Sequence, residues 1–251
     1  MVTNLHTISP KGNELLNALP PSTFEKLLPD MELVNLESGK VIVESGGTLS
    51  HAYFPTTGVI SLLNALRDGG ETEFALVGKE GMIGISLIMG GGTVPFRAVV
   101  QNTGHAYRVR SKLVLNTFHT CKAAEKLMLR YLQFLMTQVG QAAVCNRHHT
   151  LVNQLSTWLL FSLDRLPTDE VLLTHKSIAN TLGVRRESIT ETVGELQKKG
   201  LIECTRGHIH IVDRAGLEDT ACECYKVVTS EKRRLLSDIY GTPIIKRAVA
   251  H

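Results

Sequence analysis

The sequence predicts an α+β chain made of an N-terminal antiparallel β-roll, a long dimerisation-type helix and a C-terminal winged helix-turn-helix. Three observations carry that prediction. Residues 32–110 alternate short apolar runs with turn residues, residues 122–143 hold one sustained apolar repeat, and residues 174–213 read as two short helices, a Gly turn and a hairpin.

The last of these is the most specific. In the first short helix Ile178 and Leu182 share a face with Ala179 between them, and the small residue lets a second helix approach closely. Gly183 supplies the turn. The second helix buries Ile189, Val193 and Leu196, which leaves Arg185, Arg186, Ser188, Thr190 and Glu191 at its exposed beginning, where groove-reading side chains are needed. Ile202, Cys204, Ile209 and Ile211 then alternate about Thr205-Arg206-Gly207-His208, a tight hairpin with Arg206 at its tip. Arg185, Arg206 and Lys176 are placed to hold phosphates. A helical hairpin alone would be ordinary. The ordered succession of helix, Gly turn, polar-fronted helix and basic wing predicts double-stranded DNA as the partner.

The roll is read from Lys40–Val43, His51–Phe54, Val59–Leu63, Thr72–Val77, Ala98–Val100 and His105–Val109, separated by Gly46-Gly47, Gly58, Asp68-Gly69-Gly70 and Gly90-Gly91-Gly92. Evenly spaced short strands of this kind close into a small antiparallel barrel or roll. Ahead of them, residues 12–28 form a short amphipathic helix or helix pair broken at Pro20-Pro21.

In the long helix, Met128, Leu132, Leu135, Val139 and Ala142 repeat as a coiled-coil seam, while Leu127, Tyr131 and Phe134 widen the apolar arc. Either the helix is wholly core, or one flank packs on the roll and the seam meets a second copy; the homodimer is the expectation. A further helix over residues 148–165 offers Leu151, Leu155, Trp158, Leu159 and Leu163 to the winged-helix core. The expected divisions are therefore 1–120 for the roll, 121–145 for the long helix, 146–214 for the DNA-binding domain and 215–251 for a partly helical tail. In that tail, Lys232-Arg233-Arg234 reads as a solvated face.

A content of 43% hydrophobic and 20% charged residues is ordinary for a globular chain, and the net charge of +3 comes from the half that contains the helix-turn-helix. The start, MVTNLHTISPKGN, lacks the apolar stretch of a secretory signal, and polar residues interrupt the most apolar helix. A cytoplasmic protein without membrane spans is expected, with its five cysteines reduced.

With roll, long helix and winged helix in that order, the chain resembles the Crp/Fnr family of bacterial transcription regulators over nearly its whole length. LTHKSIANTLGVRRESITETVGELQKKGLI, residues 173–202, is similar to that family's DNA-binding signature, and Tyr53-Phe54-Pro55 through Gly58-Val59-Ile60 resembles part of its roll. The resemblance implies a two-fold dimer on an inverted-repeat site, a sensing roll and RNA polymerase as a partner. It also implies that Arg186 and Glu187 contact bases. Glu191 stands where many members have a base-reading Arg, and Arg185 stands where Ser or Thr often caps the recognition helix.

The roll departs further. Cyclic-nucleotide-binding members use Gly-Glu-Leu to hold the ribose, followed by an Arg that neutralises the phosphate; here Gly84 is followed by Ile85 and Ser86. Arg97-Ala98 resembles the phosphate side, so Gly84, Arg97 and Ala98 are the candidate effector residues, with the effector unknown and cyclic AMP not expected.

His119 with Cys121, Cys145 with His148 and His149, and Cys222 with Cys224 offer thiolate and imidazole groups, but their spacing matches no closed zinc pattern. Idle thiols, no metal and no cofactor are therefore expected, with a metal-, haem- or redox-responsive regulator as an alternative. A small-molecule-binding module without DNA binding is another. The sequence contains no nucleophile elbow, Walker loop or His-Glu-x-x-His, and no enzymatic activity is expected.

Overall fold

The computed structural model describes residues 8–65, 70–205 and 207–236. After a 3-10 turn at Pro10–Gly12, helices α1 (Glu14–Asn17) and α2 (Pro21–Leu27) lead into the roll. Asn13 pins this entry. It is fully buried, accepts from the Leu16 N–H at 3.1 Å, and donates to the carbonyls of Pro55 and Gly81 at 2.9 and 2.8 Å.

The roll comprises β1 (Glu32–Leu36), β2 (Val41–Val43), β3 (His51–Pro55), β4 (Val59–Ala65), β5 (Glu71–Val77), β6 (Arg97–Asn102) and β7 (Gly104–Arg110), with α3 (Ile85–Ile88) between β5 and β6. All pairings are antiparallel, in one sheet of order β1-β7-β3 and another of order β2-β6-β4-β5. Strand β3 and the start of β6 alternate between buried and partly exposed positions, as a sheet with one wet face does. In β4, by contrast, Val59 through Leu63 are all buried. Ile60 and Leu62 enter the roll interior, while Val59 and Leu76 of the adjacent strand β5 belong to the core of the C-terminal winged-helix domain. This sheet is covered on both faces.

Helix α4 (Ser111–Thr120) precedes α5 (Lys122–His148), whose 27 residues span about 40 Å. Along one flank of α5, Ala124, Leu127, Met128, Tyr131, Phe134 and Leu135 complete the roll core. Tyr131 Oη donates to the Met82 carbonyl at 3.2 Å. A Cβ at Gly81 would collide with that hydroxyl and ring, so the close approach requires glycine.

Helix α6 (Leu151–Leu163), capped by Thr150, leads into the winged helix. It is followed by β8 (Glu170–Leu172), α7 (His175–Leu182), α8 (Arg186–Lys198), β9 (Ile202–Thr205) and β10 (His208–Ile211). Leu155, Leu159, Ile178, Ile189, Val193, Leu196, Ile202 and Ile209 form its core. Strand β8 adds a third strand to the wing, in the order β8-β10-β9.

The tail forms α9 (Arg214–Thr220) and α10 (Glu223–Leu236), and α10 packs along α5 so that Val228, Leu235 and Leu236 enter the roll core. Lys232 is not simply solvated, since it pairs with Glu14 at 3.2 Å. The turn at Asp68-Gly69 lies outside the described residues, as does the chain beyond residue 236.

Roll and winged-helix domain also meet through polar groups. Arg165, after α6, donates to Glu80 Oε1 at 2.7 Å, to the Phe161 carbonyl at 2.7 Å and to Gln138 Oε1 at 3.1 Å, and the side chains of the Arg165–Glu80 pair are 5% and 2% exposed. Such a pair depends on the hydrogen bonds around it: Glu80 Oε1 also accepts from the Gly78 N–H at 3.3 Å, while Glu80 Oε2 has no partner among the described residues. Trp158 Nε1 donates to Glu73 Oε1 at 2.8 Å, while Glu73 Oε2 is buried without a partner among the described residues. Burial pushes the Glu73 carboxyl up to about 7, against the opposing influence of the Ser61 hydroxyl and the Trp158 N–H.

Candidate nucleic-acid interface

Helix α8 buries Ile189, Thr192, Val193 and Leu196 and exposes Arg185, Arg186, Glu187, Thr190 and Glu191, with Ser188 half-buried. Its position is set by the turn before it. Thr174 caps α7 by accepting from the Ser177 N–H at 3.1 Å, and Gly183 ends α7 at φ 66°, ψ 33°, the left-handed region that glycine enters without strain. The Val184 N–H then closes on the Ala179 carbonyl at 3.0 Å.

Arg185 is the N-cap of α8 and makes no side-chain capping bond. The first-turn N–H groups and the positive end of the helix dipole are thus left for an anion, which in a duplex is a phosphate. Lys176 is exposed at the start of α7. Thr190 is engaged within the chain, donating to the Arg186 carbonyl and lying 3.1 Å from His175 Nδ1. Arg186, Glu187 and Glu191 make no side-chain hydrogen bond or ion pair among the described residues. Gly207, at φ 87°, closes the wing hairpin, and Arg206 beside it lies outside the described residues.

The predicted seam on α5 needs correction. Met128 and Leu135 are 5% and 7% exposed and belong to the roll core, and Ala142 faces a cavity of about 70 Å³ shared with Glu73 and Trp158. Leu132 is half-buried and Val139 exposed. The surface carries a different repeat, Leu129, Leu132, Met136, Val139 and Ala143, in which Leu129 and Met136 are 48% and 66% exposed. It keeps the coiled-coil spacing, with three of its five members one residue further along.

Two family models match the chain, the cyclic nucleotide-binding domain over residues 33–121 and the Crp-like helix-turn-helix domain over residues 153–220. Together they cover more than half of it, in the order that joins a sensing roll to a DNA-binding domain. The chain belongs to the Crp/Fnr family. Solved Crp/Fnr-type structures share the fold. A putative Crp/Fnr regulator from Eubacterium rectale superposes with a TM-score of 0.63 at 18% identity, covering 84% of this chain and 98% of that one. FixK2 from Bradyrhizobium japonicum gives 0.67 at 14% identity, covering 76% and 98%. The c-di-GMP responsive regulator CLP from Xanthomonas campestris gives 0.59 at 15% identity, covering 76% and 99%. No curated protein matches the chain at a significant level. This Crp/Fnr protein is a DNA-binding transcription regulator with a cyclic-nucleotide-binding-like sensing domain. None of its described helices is long and apolar enough to cross a membrane.

In the roll, the candidate effector residues have no partner in common. The Arg97 guanidinium is held by Glu44 at 3.1 Å and by Glu71 at 2.5 Å, Ala98 is fully buried, and Gly84 precedes α3 at φ 125°. Two carboxylates already neutralise the charge that a cyclic phosphate would need.

The cysteines are arranged otherwise than their spacing suggests. Because α10 folds back on α5, Cys222 and Cys224 meet Cys145 and His149, and the four ligand atoms lie within 4.8 Å of one another. His148 is exposed and Cys121 bonds Thr23 instead. Hydrogen bonds from Cys145 and Thr157 pull the Cys222 thiol down to about 5, and the same contact pushes Cys145 upward; burial pushes Cys224 up to about 12.

Proposed function

We propose that the protein acts as a two-fold homodimer that reads an inverted-repeat DNA site, with α8 in the major groove. The observation that carries this reading is the exposed, uncapped start of α8, where Arg185, Arg186, Glu187 and Glu191 project from a helix whose other side is locked into the domain core. Arg186 donates to guanine O6 and N7, and Glu187 accepts from a cytosine amine. Arg185, Lys176 and Arg206 hold phosphates, Ser188 faces the duplex beside the base-reading residues, and Thr190, engaged with His175 and the Arg186 carbonyl, mainly fixes the helix. The dimer forms through Leu129, Leu132, Met136, Val139 and Ala143, a seam that would otherwise leave Met136 in water. RNA polymerase is the expected further partner of the DNA-bound form.

The roll responds to a ligand other than cyclic AMP. Gly84 lacks the carboxylate that would follow it, and Arg97 is engaged by Glu44 and Glu71. Selection from a random duplex library tests the main reading. A palindromic motif whose half-sites lose one preferred position in Arg186→Ala supports it; a non-palindromic motif, or one unchanged in the variant, overturns it. Titration calorimetry with cyclic AMP tests the second, and micromolar binding with a gain in DNA affinity would sink it.

A further inference from the structure

The end of α5, the link to α6 and the start of α10 converge on four side chains that could not be grouped from their positions in the chain. Cys145 lies in the last turn of α5 and His149 caps that helix, its N–H bonding the Cys145 carbonyl at 3.1 Å, so the two are held side by side. Cys222 and Cys224 approach from the tail. Cys145 Sγ lies 3.5 Å from Cys222 Sγ, and Cys224 Sγ lies 3.6 Å from His149 Nδ1. One tetrahedral ion with zinc-like bond lengths separates its sulfur ligands by about 3.8 Å and a sulfur from a nitrogen by about 3.5 Å. The observed spacings match a single ion.

We propose that Cys145, His149, Cys222 and Cys224 form a structural site for one tetrahedral divalent metal ion of the zinc class. The second coordination layer is already in place. His149 Nε2 lies 3.2 Å from Glu223 Oε2, so the proton sits on Nε2 and Nδ1 turns its lone pair toward the thiols. Gln154 fixes the backbone on the other side, donating to the carbonyls of Cys145 and His149 at 3.3 and 2.9 Å. Cys145, Cys222 and Cys224 are 7%, 7% and 1% exposed, which keeps bulk water from competing for the ion. Three thiolates and an imidazole select a borderline-soft ion over magnesium or calcium. A Cys145–Cys222 disulfide would use two of the four groups and leave His149 and Cys224 facing it without purpose. A polynuclear iron–sulfur cluster spreads its protein ligands over more than one iron, which four ligand atoms all within 4.8 Å of one another do not allow. Bound there, the ion ties α10 to the joint from which α6 and the winged helix spring.

The test uses the full chain, stripped with chelator under reducing conditions and titrated with cobalt(II), then zinc(II). The expected result is one equivalent of cobalt with the intense visible bands of a tetrahedral site, a sulfur-to-cobalt charge-transfer band, displacement by zinc and a raised unfolding temperature. Cys224→Ser should lower the charge-transfer intensity by about a third, as loss of one of three thiolates requires. Glu223→Gln, at an exposed carboxylate, leaves the four ligands intact and should weaken affinity by about 10- to 100-fold with the spectrum kept. Substoichiometric binding, an octahedral cobalt spectrum, an iron–sulfur chromophore in the native protein, or a spectrum unchanged in Cys224→Ser would overturn the proposal. None of these readouts depends on DNA.

Discussion

In α8 the apolar residues occupy one side and the residues of the opposite side are polar or charged, whereas α5 carries apolar residues at 127, 128, 129, 131, 132, 134, 135, 136 and 139. A periodic pattern defines a face only where something polar contrasts with it. In α8 that contrast names both the buried side and the working side. In α5 several registers satisfy the same spacing, and the choice between them is made by which flank the roll covers. Moving by one residue rotates the face by about 100°.

The largest effect should come from charging the covered flank of α5. Leu135→Glu places a carboxylate in the roll core, where an unpaired buried charge costs about 3–5 kcal/mol, and denaturant melts should show most of the fold's stability lost. Met136→Glu, the adjacent residue, should change monomer stability by no more than about 0.5 kcal/mol and instead yield a folded monomer in sedimentation. A folded dimer from Met136→Glu would show that the exposed repeat is not the seam.

Next in size are the changes on α8. Arg186→Ala should weaken duplex binding by about 1–3 kcal/mol and relax preference at one position per half-site. Lys176→Ala on α7 should weaken all sequences alike and lower the salt slope by about one unit. Titrations at several salt concentrations separate the two behaviours, and a sequence-dependent loss in Lys176→Ala would reassign that residue to base reading.

The smallest expected effect concerns the contact between the roll and the DNA-binding domain. Glu73 titrates near 7 in its buried site and near its ordinary 4.5 once hydrated. The contact is therefore fully favoured below about 4.5, weakens as pH rises from there, and has lost this contribution above about 7. Trp158, the chain's single tryptophan, donates to Glu73, so its emission should shift as pH passes 7. In Glu73→Gln the emission should be flat over that range, and a persisting shift would assign the transition to another group.

The winged helix was legible because its signals are local. Thr174, Gly183 and the apolar positions of α7 and α8 each act within a few residues. The six strands read from alternation also lie close to their observed places, because turn residues bound each one. What escaped is long-range. Strand β8 is only three residues long and gains its identity by pairing with β10. Helix α4 shows no clear break from the long helix beyond Cys121. The burial of Val59 through Leu63 looks like any apolar run until α6 supplies the second cover. Likewise, 77 residues separate Cys145 from Cys222, and only the return of α10 brings them together. Arg97 looked like a phosphate ligand from its neighbour Ala98; the carboxylates that occupy it come from β5 and from the segment after β2.

The two-sided cover of β4 and β5 sets a threshold on signalling. If the DNA-binding domain swings away from the roll, Val59 and Leu76 lose their apolar partners to water, at about 1.5–3 kcal/mol each. These two side chains alone then hold the separated arrangement to fewer than about one molecule in a hundred. A ligand that binds both arrangements equally leaves the regulator where it is, however tightly it binds. Only one that discriminates between them by several kcal/mol can switch it.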